Sequence, residues 1–216
     1  MKNAVSAGTF IDTHSNERRL DVSDYEFKER DFERPSVLFV LEDALKGLIG
    51  GPLLYYPYFK TFGLKGNEKV LDFGCGGGAG SCCLLKFLDN RGHLTCVDTS
   101  NFWIDKARKR LNKYGNVECR AGDIRELDIP DSTFDVISII HVIHDIPPAE
   151  RQDMVKALSR KLKKGGTIFV REPTKASHGM PVKEILALFS EAGLKETERK
   201  EAKSEYTGRF QKLGEG

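Results

Sequence analysis

Between positions 70 and 81 the chain reads Val70-Leu-Asp-Phe-Gly-Cys-Gly-Gly-Gly-Ala-Gly-Ser81. A short apolar run enters a turn in which five of the seven positions 74–80 are glycine, with Asp72 two residues ahead of it. Glycine accepts positive φ and lets a ligand approach bare backbone, so Gly74, Cys75, Gly76 and Gly78 are candidates to cradle a nucleotide-like group where a strand gives way to a helix. Two further acids end apolar runs: Asp98 closes Leu-Thr-Cys-Val-Asp, and Asp123 closes Cys-Arg-Ala-Gly-Asp. A carboxylate at Asp98 can accept both hydroxyls of a ribose. Asp123, between Gly122 and Ile124, is placed to read the amine edge of adenine, with a helix cap as its other reading. A third cluster is Ile140-His-Val-Ile-His-Asp-Ile-Pro147. A neutral imidazole at His144 suits removal of a proton from a nucleophile. The His141-x-x-His144 spacing has no recognisable third ligand, so no metal is expected.

The loop by itself leaves its ligand open. Gly74-Cys-Gly76-Gly-Gly-Ala79 also satisfies the dinucleotide pattern G-x-G-x-x-A, which keeps an NAD-dependent oxidoreductase as a rival, and Asp98 serves either ligand. A phosphate loop of the Walker kind is excluded, because no Lys-Ser/Thr pair follows the glycines.

These groups need a scaffold, and the pattern from residue 69 onward supplies one. Short, nearly continuous apolar runs at 70–73, 94–97, 117–120, 134–140 and 167–170 read as strands covered on both faces. Between them, apolar residues recur at helical spacing: Cys83, Leu84, Phe87 and Leu88; Ile104, Ala107 and Leu111; Val155, Leu158 and Leu162. Strand–helix alternation predicts a doubly wound α/β domain with a mostly parallel sheet and helices on both faces. A last helix (Val182, Ile185, Phe189) and two extended segments, 194–200 and 206–212, would close the sheet as a hairpin. Ahead of the core, Leu38, Leu41, Leu45 and Leu48 mark a helix ending at Gly50-Gly51, followed by an aromatic stretch at 53–62. Residues 1–64 are thus expected to be a helical cap on a core spanning 65–216, within one domain.

Composition narrows the partners. A net charge of +2 with scattered basic residues gives no stripe for nucleic acid. Five cysteines without a C-x-x-C pair argue for reduced thiols rather than a disulfide framework. Residues 1–12 lack the apolar run of a secretory leader, and no window reaches the ~20 apolar residues of a membrane span. A cytoplasmic protein is expected.

Asp72-x-Gly74-x-Gly76-x-Gly78, Asp98 and Ala121-Gly-Asp123 together resemble the successive cofactor motifs of the class I S-adenosylmethionine (SAM)-dependent methyltransferases. The 134–140 and 162–170 segments resemble that family's fourth and fifth strands, so the similarity covers about residues 65–212. The resemblance implies a seven-stranded sheet with an antiparallel last strand at 206–212, and SAM as cofactor. It implies that Asp72 and the glycine loop hold the methionine part, Asp98 the ribose, and Asp123 and Ile124 the adenine, with Trp103 on the adenine face. Thr99, directly after Asp98, departs from the usual pattern at a position that would neighbour adenine. His144-Asp145 is similar to the His-Asp pair of small-molecule O-methyltransferases, which makes His144 the candidate base. Acceptor contacts are expected from Tyr25 and Tyr55 of the cap, from His141, and from Glu172 just after the fifth strand. The implied partner is a small-molecule acceptor. A non-catalytic SAM-binding protein is the remaining alternative, since fold does not fix function.

Overall fold

A computed structural model describes residues 25, 27, 28, 30–45 and 53–213. Seven strands lie in the order β3-β2-β1-β4-β5-β8-β7. They are β1 (Lys69–Phe73), β2 (His93–Asp98), β3 (Val117–Ala121), β4 (Phe134–Ile140), β5 (Leu162–Lys175), β7 (Leu194–Ala202) and β8 (Glu205–Lys212), with the two-residue β6 (His178–Gly179) folded back on β5. Strands β1 to β5 run parallel, and β8 inserts antiparallel between β5 and β7. The expected mostly parallel sheet, its antiparallel last strand and the terminal hairpin are all present.

Burial explains why these runs became strands. Val70, Leu71, Leu94, Val97, Ile137, Ile139, Ile168 and Val170 are inaccessible to solvent, as both faces of a parallel sheet require. One face carries α5 (Pro148–Lys161) and α6 (Val182–Glu191), whose Val155, Leu158, Ile185 and Phe189 join Leu71, Ile137 and Ile168 in one core. The other face carries α2 (Tyr56–Lys60), α3 (Ala79–Leu84) and α4 (Asn101–Leu111), with Phe59, Leu84, Ala107 and Leu111 against Val70 and Leu94. Because the chain steps from β1 to β2 on one side and reaches β4 on the other, the sheet has its switch point at the carboxyl end of β1. That is where open α/β sheets bind ligands.

Two local readings change. Leu162 does not extend α5: the helix stops at Lys161, and Leu162 is extended (φ −79°, ψ 135°) and buried as the first residue of β5. The cap helix α1 (Val37–Leu45) forms, but it buries none of its residues, and Val37, Leu38, Leu41 and Leu45 face solvent. Leu48 and Gly50-Gly51, where this helix was expected to end, lie outside the described residues, as do residues 1–12. No helix among the described residues is long and apolar enough to cross a membrane.

Candidate active site

The glycine loop leaves β1 and turns toward β2. The amides of Gly74 and Cys75 both donate to the Val97 carbonyl, at 2.8 and 3.1 Å, which ties the turn to the neighbouring strand. Gly74 (φ +71°) and Gly76 (φ +50°) take left-handed backbone, which a side chain would strain. At Gly74 a Cβ would also sit 2.3 Å from Cγ2 of Val142, so the loop and the segment after β4 are in direct contact. Around Gly76 nothing lies within 4 Å of where a Cβ would be, and the backbone faces open space.

Two carboxylates frame the loop. Asp72 is buried and accepts a 2.6 Å hydrogen bond from the Ser81 hydroxyl, with Ser138 as its strand partner on β4. Burial pushes its pKa up to about 6. Asp98 accepts from the Gly76 amide with Oδ2 (2.9 Å) and from the Ser100 amide with Oδ1 (3.0 Å), and burial raises its pKa as well. The loop, Asp98 and the start of α4 are thereby one hydrogen-bonded unit.

Other expected cofactor residues are placed as follows. Thr99 is exposed in the turn after β2. Gly122 donates to the Asp98 carbonyl at 2.9 Å, which brings the end of β3 beside Asp98. Asp123 caps no helix but closes a turn: Oδ1 accepts from the Arg125 amide at 2.8 Å, and the carboxylate pairs with the Arg125 guanidinium, which also reaches Glu150 at 2.7 Å. Burial raises the Asp123 pKa, but the Arg125 hydrogen bonds outweigh it and hold the carboxyl below its ordinary value. The Ile124 side chain is wholly buried in the core. Trp103 is buried as well, edge-on to Phe39 at 5.4 Å, so it anchors the cap segment to α4.

That cap segment reaches over the loop, a feature without a sequence signal. Arg110 of α4 donates to the Gly77 carbonyl at 2.6 Å and pairs with Asp43 of α1 at 2.9 Å. Glu33 accepts the Asn101 amide at 2.7 Å and so caps α4 from outside it, while the Phe32 carbonyl accepts from the Ser100 hydroxyl at 2.9 Å. Only the fold brings residues this far apart together.

On the other flank, Glu172 was read as a contact open to the acceptor. It is instead fully buried behind His144. Its Oε1 accepts the amides of Val142 and Ile143 at 2.9 and 2.8 Å, and its Oε2 lies 2.7 Å from His144 Nδ1. A carboxylate oxygen at this distance accepts, so Nδ1 carries a proton, and in the neutral imidazole Nε2 then holds the lone pair. Arg151 fixes the same turn by donating to the His144 carbonyl at 3.0 Å. His141, at φ +57°, is a side-chain-bearing residue in left-handed backbone, a strain that clusters at functional sites. Its Nε2 is 3.3 Å from Glu205, which also pairs with Arg171 at 2.8 Å. This group borders a groove of about 320 Å³ between α2 and the β7–β8 hairpin, lined by Tyr58, Phe169, Arg171, Glu205 and Arg209. Tyr55 stacks on Phe59 and lies against Gly80 at the start of α3, and the Tyr25 hydroxyl donates to the Thr174 carbonyl at 2.9 Å. His178, which no sequence pattern links to His144, has its ring centre 4.6 Å from that imidazole.

Comparison with known proteins places this geometry in context. Residues 70–166 match the model of a family described as "Methyltransferase domain", a span from β1 into β5 that takes in the glycine loop, Asp98, Asp123 and His144. The chain is 25% identical over 161 residues to the carboxy-S-adenosyl-L-methionine synthase of Shewanella loihica, covering 70% of this chain and 62% of that protein. It is 28% identical over 131 residues to a demethylmenaquinone methyltransferase of Staphylococcus aureus, covering 60% of this chain and 53% of that protein. The chain thus spans less than two thirds of the length of these relatives. Among solved structures, a SAM-dependent methyltransferase from Aquifex aeolicus superposes with a TM-score of 0.68 at 22% identity, over 83% of this chain and 99% of that one.

Proposed function

We propose that this chain, whose residues 70–166 match the methyltransferase-domain family, is a class I, Rossmann-like methyltransferase that moves the sulfonium methyl of SAM to a nucleophilic atom of a small-molecule acceptor by in-line displacement. One observation carries the reading. The glycine turn after β1 and the Asp98 carboxylate at the end of β2 form a single hydrogen-bonded cradle at the switch point of the sheet. Backbone open at Gly76 receives the methionine part, with Asp72 beneath it, and Asp98 exchanges its amide partners for ribose hydroxyls. Gly122 forms the adenine edge, and Asp123 joins it when Arg125 turns toward Glu150 alone, with the core-buried Ile124 fixing the turn behind them.

The sulfonium already activates its methyl, so the protein mainly aligns the acceptor and excludes water. Proximity and orientation can contribute as much as ~7–11 kcal/mol to such a step. His144, fixed by Glu172 with the lone pair on Nε2, activates an acceptor that carries a proton. His141, Tyr25, Tyr55 and the groove beside Glu205 receive the acceptor, and residues 32–43 cover the glycine loop and the start of α4 through Phe32, Glu33 and Asp43. All five cysteines are free thiols, which supports a cytoplasmic location.

The test has two arms. Thermal shifts with SAM, S-adenosylhomocysteine and NAD(H) should show stabilisation by the two adenosyl ligands alone. A screen of small-molecule acceptors with labelled SAM should then transfer label. Stabilisation by NAD(H) alone, or no label transferred to any acceptor while SAM binds, would overturn the transferase reading.

A further inference from the structure

Three ligating groups converge beside the buried imidazole. His144 Nε2, the Asp145 carboxylate and a ring nitrogen of His178 all lie within 4.8 Å of one another. The His144 side chain is only 3% exposed, and Nε2 has no hydrogen-bond partner among the described residues. A buried polar atom left this way forfeits its water without replacement, which native structures rarely tolerate. Asp145 Oδ2 stands 3.4 Å from it, yet with the proton on Nδ1 neither atom has a hydrogen to give the other. A shared cation resolves both. Ligand atoms bound to zinc at ~2.0–2.1 Å in a tetrahedron are separated by about 3.3 Å, close to the 3.4 Å between His144 Nε2 and Asp145 Oδ2, with His178 within 4.8 Å of both.

The surroundings agree. A cavity of about 30 Å³ is lined by His144, Asp145 and His178 together with Lys28, Arg30 and Ser177, room enough for an ion or a water. The Arg30 guanidinium already sits against two of the three groups, with Nη2 3.1 Å from His178 Nδ1 and Nε 3.8 Å from Asp145 Oδ1, so a cation at these ligands has to displace it. Glu172 behind His144 is the carboxylate–imidazole arrangement that fixes the tautomer of a metal-bound histidine. His178 arrives on β6, 34 positions after His144, which is why a search for short ligand spacings passes over it.

We propose that His144, Asp145 and His178 bind a divalent transition-metal cation of the zinc type, displacing Arg30 and leaving a coordination position open to the cavity. The site rests on the tautomer assigned above, and it deepens the transferase reading: a bound cation would occupy Nε2 and polarise an acceptor hydroxyl, whose proton would leave to solvent through the open position while the oxygen takes the methyl and S-adenosylhomocysteine departs.

The experiment uses the full chain, dialysed against chelator and titrated with Zn²⁺ by calorimetry and with Co²⁺ by visible absorption. One-to-one binding with a tetrahedral Co²⁺ spectrum is expected. His178→Ala, at an exposed position that leaves the core intact, should weaken it at least tenfold, and Glu172→Gln by ~10–100-fold. His141→Ala should bind the metal as the parent does. Absence of stoichiometric binding, or equal affinity in His178→Ala, overturns the site. SAM calorimetry on the same metal-free protein separates the two readings: SAM binding lost with metal binding intact would sink the transferase reading and spare the metal site.

Discussion

Glu172 and His144 form a buried pair in which one carboxylate does two jobs. Oε1 holds the backbone amides of Val142 and Ile143, and Oε2 holds the imidazole at 2.7 Å. The two jobs separate by substitution. In Glu172→Gln the amide oxygen still accepts both backbone N–H groups, but its NH₂ donates to Nδ1 and moves the imidazole proton to Nε2. Turnover should fall ~10²–10⁴-fold, the range for losing a correctly poised imidazole, with little change in melting temperature. Glu172→Ala should also unfold more easily, because each orphaned amide costs about 1–3 kcal/mol. Comparable turnover in Glu172→Gln and parent would show that the tautomer has no role in the reaction.

Replacing His144 itself should lower turnover by ~10²-fold or more while SAM affinity stays within about twofold, since the cradle lies on the far side of Val142. Steady-state kinetics beside SAM calorimetry separates the two effects. Unchanged turnover on every accepted acceptor would remove His144 from the chemistry.

Asp72 predicts opposite effects on stability and binding. Its folded pKa of about 6 lies above the ordinary 3.8, so the folded state holds this proton more tightly than the unfolded chain. Carrying the charge therefore costs nothing below about pH 4, costs progressively more from there to pH 6, and costs about 3 kcal/mol above it, for a shift of roughly two units. Asp72→Asn should be the more stable protein at pH 8, by up to that amount, with the gap gone near pH 4. SAM should bind it less well than the parent at pH 8. Urea melts at both pH values decide the first part, and a gap that persists at pH 4 would show that another group is responsible.

Gly74→Ala should fail through a named clash. The added methyl meets Val142 Cγ2 at 2.3 Å and the backbone is left-handed, so ~2–4 kcal/mol of stability should go, from overpacking and φ strain together. Adding Val142→Ala removes the clash but not the strain and should restore part of the loss. A double variant no more stable than Gly74→Ala would place the damage elsewhere.

The sheet was legible because its signals are local. Each parallel strand is a short apolar run, and each crossover helix repeats at its own period, so Val70, Leu94 and Ile137 announce themselves without neighbours. The glycine loop was legible for the same reason. What the sequence hid depends on distance along the chain. Glu172 looks like an exposed loop acid until β5 is laid beside β4, which puts it behind His144. Asp123 is read as adenine ligand or helix cap, and only the position of Arg125, two residues on, shows that its carboxylate closes a turn. The leucines of α1 gave the right helix and the wrong face, since periodicity reports amphipathicity and not which surface is covered.

The same long-range logic yields a prediction for the cap. Arg110 bridges the Gly77 carbonyl and the Asp43 carboxylate, so a tie between α1 and the glycine loop runs through a partly buried guanidinium, with side chains 25% and 16% exposed for Arg110 and Asp43. The planar fork serves both acceptors at once, which a lysine cannot do in the same geometry. Arg110→Lys should therefore speed SAM release about tenfold, a loss of about 1.4 kcal/mol, while Asp43→Asn should give a similar change through the same tie. Because both act on one contact, the double variant should be little worse than either single one, leaving a coupling of about 0.5–3 kcal/mol in the cycle. Stopped-flow measurement of SAM dissociation reads this directly, with hydrogen exchange at residues 74–78 reporting the loosened loop. Strictly additive effects, or a release rate that none of the three variants changes, would mean that α1 packs beside the cradle without closing it.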